Sequence, residues 1–289
     1  MKNPLFTGAC TALVTPFWNG EVNYPLLEVL IRRQISAGIR AIVLAGTTGE
    51  APTLSDEEKM ELFRRGKECA GKDALILAGT GSNDTSHAVE LSLAAQEMGA
   101  DALLVVSPYY NKATEDGLFS HYLSISQAVS VPVVLYNVPG RTGVDIPVSV
   151  YQRLSKVPNI AGVKEASTSI TKITRIRAAC GTEFAIWSGN DDQAVPVMAL
   201  GGQGVISVSA NICPTQVRAM ADAALAGDFD TAAALQENLQ PLNDLMFCEV
   251  NPVPVKAAMK YVGFDCGGCR LPLTAPSRET RKKIETFFA

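Results

Sequence analysis

Ile160-Ala161-Gly162-Val163-Lys164-Glu165-Ala166 is a short apolar run that ends on a charged pair. It does not alternate between polar and apolar residues, as a strand with one wet face would. A continuous run of this length describes a strand covered on both sides. Runs of the same kind recur at 9–14, 41–45, 74–78, 102–106, 132–136, 160–164, 184–188 and 204–208, each starting 20 to 33 residues after the last. Amphipathic stretches fill the gaps. Leu26, Leu27, Leu30, Ile31 and Ile35 form one apolar face that stops at Gly38, and Ser55 followed by Glu58 reads as a capping box before Met60, Leu62 and Phe63. Eight strand–helix units in series predict an α/β fold, a (β/α)8 TIM barrel.

An open doubly wound sheet is the rival, and it usually carries G-x-G-x-x-G after its first strand. Here Thr15-Pro16-Phe17-Trp18-Asn19-Gly20 follows the first run, and that cannot cradle a pyrophosphate in the same way. After Gly227 the strand pattern ends. Residues 228–247 are rich in Ala and Leu at helical spacing, Asn251-Pro252-Val253-Pro254 interrupts, and two more helix-like pieces follow. The expected organisation is a catalytic barrel over 1–226 and a small C-terminal helical extension over 227–289.

Composition narrows the classes of function. The chain has 289 residues, 47 % hydrophobic and 19 % charged, with a net charge of −4 and no basic run. That balance describes a folded core and argues against nucleic-acid or anionic-membrane partners, which need clustered Lys and Arg. No apolar run approaches the roughly 18 residues of a membrane span, and no secretory pattern opens the chain. With seven cysteines, an odd and scattered set, the expectation is reduced thiols and a cytoplasmic location. Cys266-Gly-Gly-Cys269 is the one close pair, and without a second pair it is a weak zinc or redox signal.

Barrel chemistry gathers at the C-terminal ends of the strands. Of twelve lysines, Lys164 alone terminates a strand-like run. An ammonium desolvated there favours its neutral form, a nucleophile towards carbonyls, although pairing with Glu165 would explain it equally well. Tyr136 ends the preceding strand and can relay protons if hydroxyls hold it, or it can simply pack. Thr47-Thr48-Gly49 offers backbone N–H groups and hydroxyls to a carboxylate. Arg141, in the Pro/Gly loop Val138-Pro139-Gly140-Arg141-Thr142-Gly143, can clamp a second one bidentately. No cluster has metal-ligand spacing. His87 and His121 lie in helix-like stretches and are expected to be exposed.

Gly46-Thr47-Thr48-Gly49-Glu50, Tyr136-Asn137-Val138-Pro139-Gly140-Arg141-Thr142-Gly143 and Gly162-Val163-Lys164-Glu165-Ala166 resemble signatures of the pyruvate-dependent class I aldolase/lyase superfamily. Within that superfamily the chain is most similar, nearly end to end, to the dihydrodipicolinate synthase family. The resemblance implies condensation of pyruvate with L-aspartate-4-semialdehyde through a Schiff base on Lys164, with no cofactor and no metal, in diaminopimelate and lysine biosynthesis. It implies that Tyr136 relays protons, held by Thr48 and by Tyr110 from a neighbouring subunit. Thr47 and Thr48 would hold the pyruvate carboxylate, Arg141 that of the semialdehyde, and Gly189 and Ile206 would line the pocket. A homo-oligomer, a dimer of dimers, is implied as well. N-acetylneuraminate lyases and 2-keto-3-deoxy sugar acid aldolases share the lysine and the tyrosine but receive sugar hydroxyls, so Arg141 favours the synthase over these alternatives.

Lysine-inhibited members of the family bind their effector through a His and a Glu at the positions of Lys59 and His87. The corresponding allosteric site here would comprise Ala51, Lys59, Asn83, His87 and Tyr109. Lys59 brings a like charge and His87 replaces an anion, so the expectation is weak or absent feedback by lysine.

Overall fold

The computed structural model describes residues 4–289. Eight parallel strands close into a barrel in chain order: β1 (Gly8–Ala12), β2 (Ala41–Leu44), β3 (Leu75–Gly79), β4 (Ala102–Val106), β5 (Val133–Asn137), β6 (Ile160–Glu165), β7 (Ala185–Ser188) and β8 (Gly204–Ser207), which returns to pair with β1. Each lies within two residues of its predicted run. The turn after β1, read from sequence only as a non-binding loop, forms a small antiparallel hairpin of Phe17–Trp18 against Glu21–Val22.

The strands look uniformly apolar because both faces are covered, yet they alternate. Ile42, Leu44, Val133, Leu135 and Ile186 face the helical layer, whereas Cys10, Val43, Leu77, Leu104, Val134, Tyr136, Trp187 and Ile206 fill the barrel interior. Phe6 stacks on Trp187 at 4.7 Å between ring centroids, just ahead of β1, and helps plug the interior from the N-terminal side.

A bulge in β6 decides what the lysine does. Val133 pairs with Ile160, but Val134 pairs with Gly162, so Ala161 is an extra residue. Ile160 faces the helices, Ala161 packs against the interior, and Val163 faces the helices again. Strict alternation would have turned Val163 inward and Lys164 outward; the bulge reverses the phase and puts Lys164 inside. Gly162 makes this close approach possible, since a Cβ there would lie 2.1 Å from the Ala185 carbonyl oxygen.

Helices cover the barrel with caps that the sequence announces. In α1 (Tyr24–Ser36), Asn23 Oδ1 accepts from the Leu26 N–H at 3.1 Å. In α2 (Asp56–Ala70), both bonds of the Ser55/Glu58 capping box form. The shell continues with α3 (Thr85–Glu97), α4 (Glu115–Ala128), α5 (Pro139–Thr142), α6 (Val148–Leu154), α7 (Ile170–Cys180), α8 (Ala194–Ala199) and α9 (Pro214–Leu225). Beyond it, α10 (Phe229–Met246), α11 (Val253–Ala258) and α12 (Arg278–Phe288) follow, α10 lying against α9 and α8.

Residues 251–270 run back over the barrel rim, tied there by buried polar contacts. Lys256 Nζ meets Glu50 Oε1 at 2.8 Å, with both side chains almost wholly buried, and the Arg270 N–H donates to the other Glu50 oxygen at 2.8 Å. The Arg270 guanidinium forks onto Glu58 at 2.5 and 2.6 Å. Among the described residues no helix is long and apolar enough to cross a membrane. All seven cysteines are free thiols, Cys266 and Cys269 included, and burial pushes those two up to about 12 and about 11.

Candidate active site

Lys164 is 5 % exposed, and its Nζ lies 4.4 Å from the centroid of the Tyr136 ring, its direct neighbour across the β5–β6 ladder. Burial alone does not single out this lysine, because Lys59, Lys172 and Lys256 are buried too. Each of those has a carboxylate: Asp56 for Lys59, Asp145 and Glu165 for Lys172, and Glu50 for Lys256. Lys164 has none among the described residues. Pairing with Glu165 does not occur, because that side chain leaves the barrel on the other face. It accepts from Asn137 Nδ2 at 2.7 Å, Ser167 N–H at 2.9 Å and Tyr151 hydroxyl at 3.1 Å. Gly189 leaves room for the lysine stem, since a Cβ there would sit 3.1 Å from Lys164 Cε and 2.6 Å from Ala166 Cβ.

Above the lysine, the chain after β2 makes a tight turn. Gly49 N–H bonds Gly46 O and Glu50 N–H bonds Thr47 O, both at 3.1 Å. Glu50 takes the left-handed conformation at φ +57°, where its buried carboxylate is held by Lys256 and Arg270. The N–H groups of Thr47 and Thr48 have no hydrogen-bond partner among the described residues, which leaves two donors for an anion. The expected hydrogen bond between Thr48 and Tyr136 is not formed in this chain. Thr48 Oγ1 instead accepts from Asn251 Nδ2 at 3.0 Å. From sequence Asn251 stood only within a segment that breaks the helical pattern and shares the family resemblance, and nothing local marks its contacts, because Thr48 and Arg141 lie 203 and 110 residues away.

Arg141 stands in a single helical turn, α5, rather than a loop, and Gly143 ends that turn at φ +69°. Its Nη2 donates to the Asn251 carbonyl at 3.0 Å. Thr47, Tyr136, Val138, Arg141 and Thr142 line one cavity of about 400 Å³ over the barrel mouth. Ile206 is fully buried in the barrel interior with Tyr136 and Trp187, below that cavity. Tyr110 does not join the others within the chain: it is 91 % exposed, at φ +71° in the loop after β4. Sequence reasoning also missed Asp191, a buried carboxylate behind β8. It accepts from the Ser207 hydroxyl and from the N–H groups of Val208 at 2.8 Å and Ser209 at 3.3 Å. Burial raises its pKa against those bonds.

Ala51, Lys59, His87 and Tyr109 line the same cavity, whereas Asn83 is not among its lining residues and its carbonyl accepts from Asn111 Nδ2 at 2.9 Å. The like charge expected here is offset by a residue not considered from sequence. Asp56 bridges His87 Nε2 at 2.9 Å and Lys59 Nζ at 3.1 Å. The hydrogen bond from His87, and then that from Lys59, hold the Asp56 carboxyl below the usual carboxylate range. The expected exposure of both histidines needs correction. His87 is partly exposed, but His121 is buried on α4, Nδ1 2.9 Å from Thr85 Oγ1, and burial lowers its pKa to about 4. A helical apolar face can accept an imidazole when one nitrogen finds a hydroxyl. Among the described residues no three His, Cys, Asp or Glu side chains gather as metal ligands would.

Known proteins resemble the chain along almost its whole length. The sequence profile described as the Dihydrodipicolinate synthetase family matches residues 5–288. The chain is 47 % identical over 274 residues to a 4-hydroxy-tetrahydrodipicolinate synthase of Acetivibrio thermocellus, covering 95 % of this chain and 93 % of the relative. It is 48 % identical over 287 residues to the enzyme of the same name from Thermoanaerobacter sp., covering 99 % and 97 %. Among solved structures, dihydrodipicolinate synthase from Aquifex aeolicus superposes with a TM-score of 0.96 at 41 % identity, over 98 % of this chain and 97 % of that one. The pyruvate complex of the Acinetobacter baumannii enzyme matches with a TM-score of 0.95 at 42 % identity, over 97 % of both chains. With a profile match along almost its whole length and relatives this similar, the chain belongs to the Dihydrodipicolinate synthetase family.

Proposed function

We propose that this protein condenses pyruvate with L-aspartate-4-semialdehyde to give 4-hydroxy-tetrahydrodipicolinate, a Schiff-base lyase step of diaminopimelate and lysine biosynthesis. The observation that carries the reading is Lys164, a buried amine without a carboxylate partner among the described residues, against Tyr136 and near a cavity lined by Thr47, Tyr136 and Arg141. Lys164 Nζ adds to the keto carbon of pyruvate, and Tyr136 passes the protons that let water leave and the imine form. Loss of a methyl proton gives the enamine, whose carbon attacks the aldehyde of the second substrate, and the new alkoxide is protonated. The amine of that substrate then attacks the imine carbon, closes the ring and expels Lys164. Thr47 and Thr48 hold the carboxylate of pyruvate, and Arg141 that of the semialdehyde. The chemistry uses side chains alone.

The same reading includes a cytoplasmic enzyme whose segment 227–289 is an extension of a barrel over 1–226. It also includes a homo-oligomer, a dimer of dimers, in which Tyr110 of one copy completes the Tyr136–Thr48 relay of another; the exposure of Tyr110 supports this. Feedback by lysine is weak or absent, since Lys59 and His87 already occupy the Asp56 carboxylate. Half-inhibition by submillimolar lysine would overturn that part.

Borohydride reduction in the presence of pyruvate should add the mass of a reduced pyruvate imine to Lys164. Pyruvate should then be consumed with aspartate semialdehyde and not with N-acetylmannosamine. Turnover with the sugar alone would keep the lysine chemistry and overturn the role of Arg141.

A further inference from the structure

We infer that Asn251 is a positioning residue that fixes the direction in which the Thr48 hydroxyl donates its proton. The inference rests on the proposed reaction, in which Thr48 meets the pyruvate carboxylate and Tyr136. Asn251 is buried where the C-terminal segment crosses the rim, and its Nδ2 donates to Thr48 Oγ1 at 3.0 Å. An amide NH2 has hydrogens and no acceptor, so Thr48 must accept in this contact and its own proton is left over. That proton finds no acceptor among the described residues. A lone threonine hydroxyl could spend its proton on a neighbouring amide oxygen. Asn251 closes that choice and leaves a donor for an oxyanion, either the carboxylate of the keto acid or the Tyr136 oxygen after it has given up its proton. Such a donor needs little reorganisation during the reaction.

Two further observations separate this from packing. Asn251 Oδ1 is buried without a hydrogen-bond partner among the described residues. An apolar side chain would fill the same place without that desolvation penalty, so filling space does not explain an asparagine here. The Asn251 carbonyl also accepts from Arg141 Nη2 at 3.0 Å. One residue therefore touches both a candidate holder of the pyruvate carboxylate and the candidate holder of the second carboxylate. The side chain serves Thr48 and the backbone serves Arg141, so substitution separates the two.

Asn251→Asp keeps the shape and replaces the donor with an acceptor, which takes the Thr48 proton and reverses the bond. The expected result is a KM for pyruvate raised at least tenfold and a matching loss in borohydride-trapped imine at fixed pyruvate, while the KM for aspartate semialdehyde moves less than threefold. In a Thr48→Val background, where no proton is left to direct, the same change adds less than threefold, the non-additivity expected of residues that act through one another. A wild-type pyruvate KM in Asn251→Asp, or an equal loss in both backgrounds, would overturn the inference and reduce Asn251 to packing. If Asn251→Asp does not fold, Asn251→Ser removes the donor. It should raise the pyruvate KM roughly three- to tenfold with Thr48 present and leave it unchanged with Thr48→Val; equal effects would again overturn the inference. Wild-type protein that traps no pyruvate imine fails the proposed reaction itself, so the two failures are distinguishable.

Discussion

Lys164 and Tyr136 face each other across the β5–β6 ladder, with the lysine Nζ 4.4 Å from the centre of the phenol ring and no ion-paired carboxylate among the described residues. Lys172 and Lys256 also lie over aromatic rings, but they and Lys59 are neutralised by ion pairs, so the missing ion pair is what sets Lys164 apart among the described residues. An amine packed on an aromatic face has a π cloud for its cationic form and nothing to hold it as a permanent ion pair. Lys164→Ala should abolish borohydride trapping of pyruvate and lower turnover by roughly a thousandfold or more, with unchanged circular dichroism. Imine-dependent turnover in that variant would contradict the assignment.

Tyr136→Phe keeps the ring on Lys164 and removes the phenolic oxygen. The imine should still form, more slowly, and turnover should fall by roughly a hundred- to ten-thousandfold, the usual contribution of a placed acid–base group. Single-turnover kinetics with pyruvate checks this, because a pure packing role would leave the imine-forming step unchanged.

Arg141 donates to the Asn251 carbonyl from the cavity wall. Arg141→Ala should raise the KM for aspartate semialdehyde by roughly 10- to 100-fold, the loss expected for a charge-assisted hydrogen bond, and leave pyruvate trapping within threefold of wild type. Steady-state kinetics with each substrate varied in turn separates the two.

Glu50 and Lys256 form a pair buried on both sides, 2.8 Å apart. Lys256→Met leaves the Glu50 carboxylate in the rim with only the Arg270 N–H and the neutral Cys269 thiol beside it among the described residues. The loss should be about 3–5 kcal/mol, read as a lower midpoint in urea denaturation. The pyruvate-side turn should loosen with it, because Glu50 is its last residue.

His121 gives a pH dependence of known sign. Burial lowers its pKa from 6.5 to about 4, so the unfolded chain binds a proton that the folded chain refuses. Its contribution is fully present above pH 6.5 and is lost as the pH falls towards about 4. The shift corresponds to about 3 kcal/mol. His121→Gln keeps an acceptor for Thr85 and removes the titration. Between pH 7 and pH 4.5 its stability should fall less than that of wild type, measured by urea denaturation at both values.

The eight strands, the caps and the end of the strand pattern near Gly227 were legible because they are local: a run between two covered faces, or a Ser followed by a Glu at the fourth position. Lys164, Tyr136, Thr47 and Arg141 were legible because a barrel places strand ends on one rim, and the resemblance carried the same residues. What the sequence could not decide was facing. A strand buried on both sides reads the same in either phase, so only the bulge at Ala161 and its register against β5 turn Lys164 inward and Glu165 outward. Charge pairing was equally hidden, because Lys256 and Lys172 read like solvated lysines until the tertiary fold supplies Glu50 and Asp145. Asp56 between Lys59 and His87, the buried His121, and Asn251 on Thr48 belong to the same class. The sequence determined which backbone elements form, since their hydrogen bonds and periodicities are satisfied within short segments. The tertiary structure alone decided which polar groups distant in sequence meet, since those partners come together only when the barrel closes and the C-terminal segment folds across its rim.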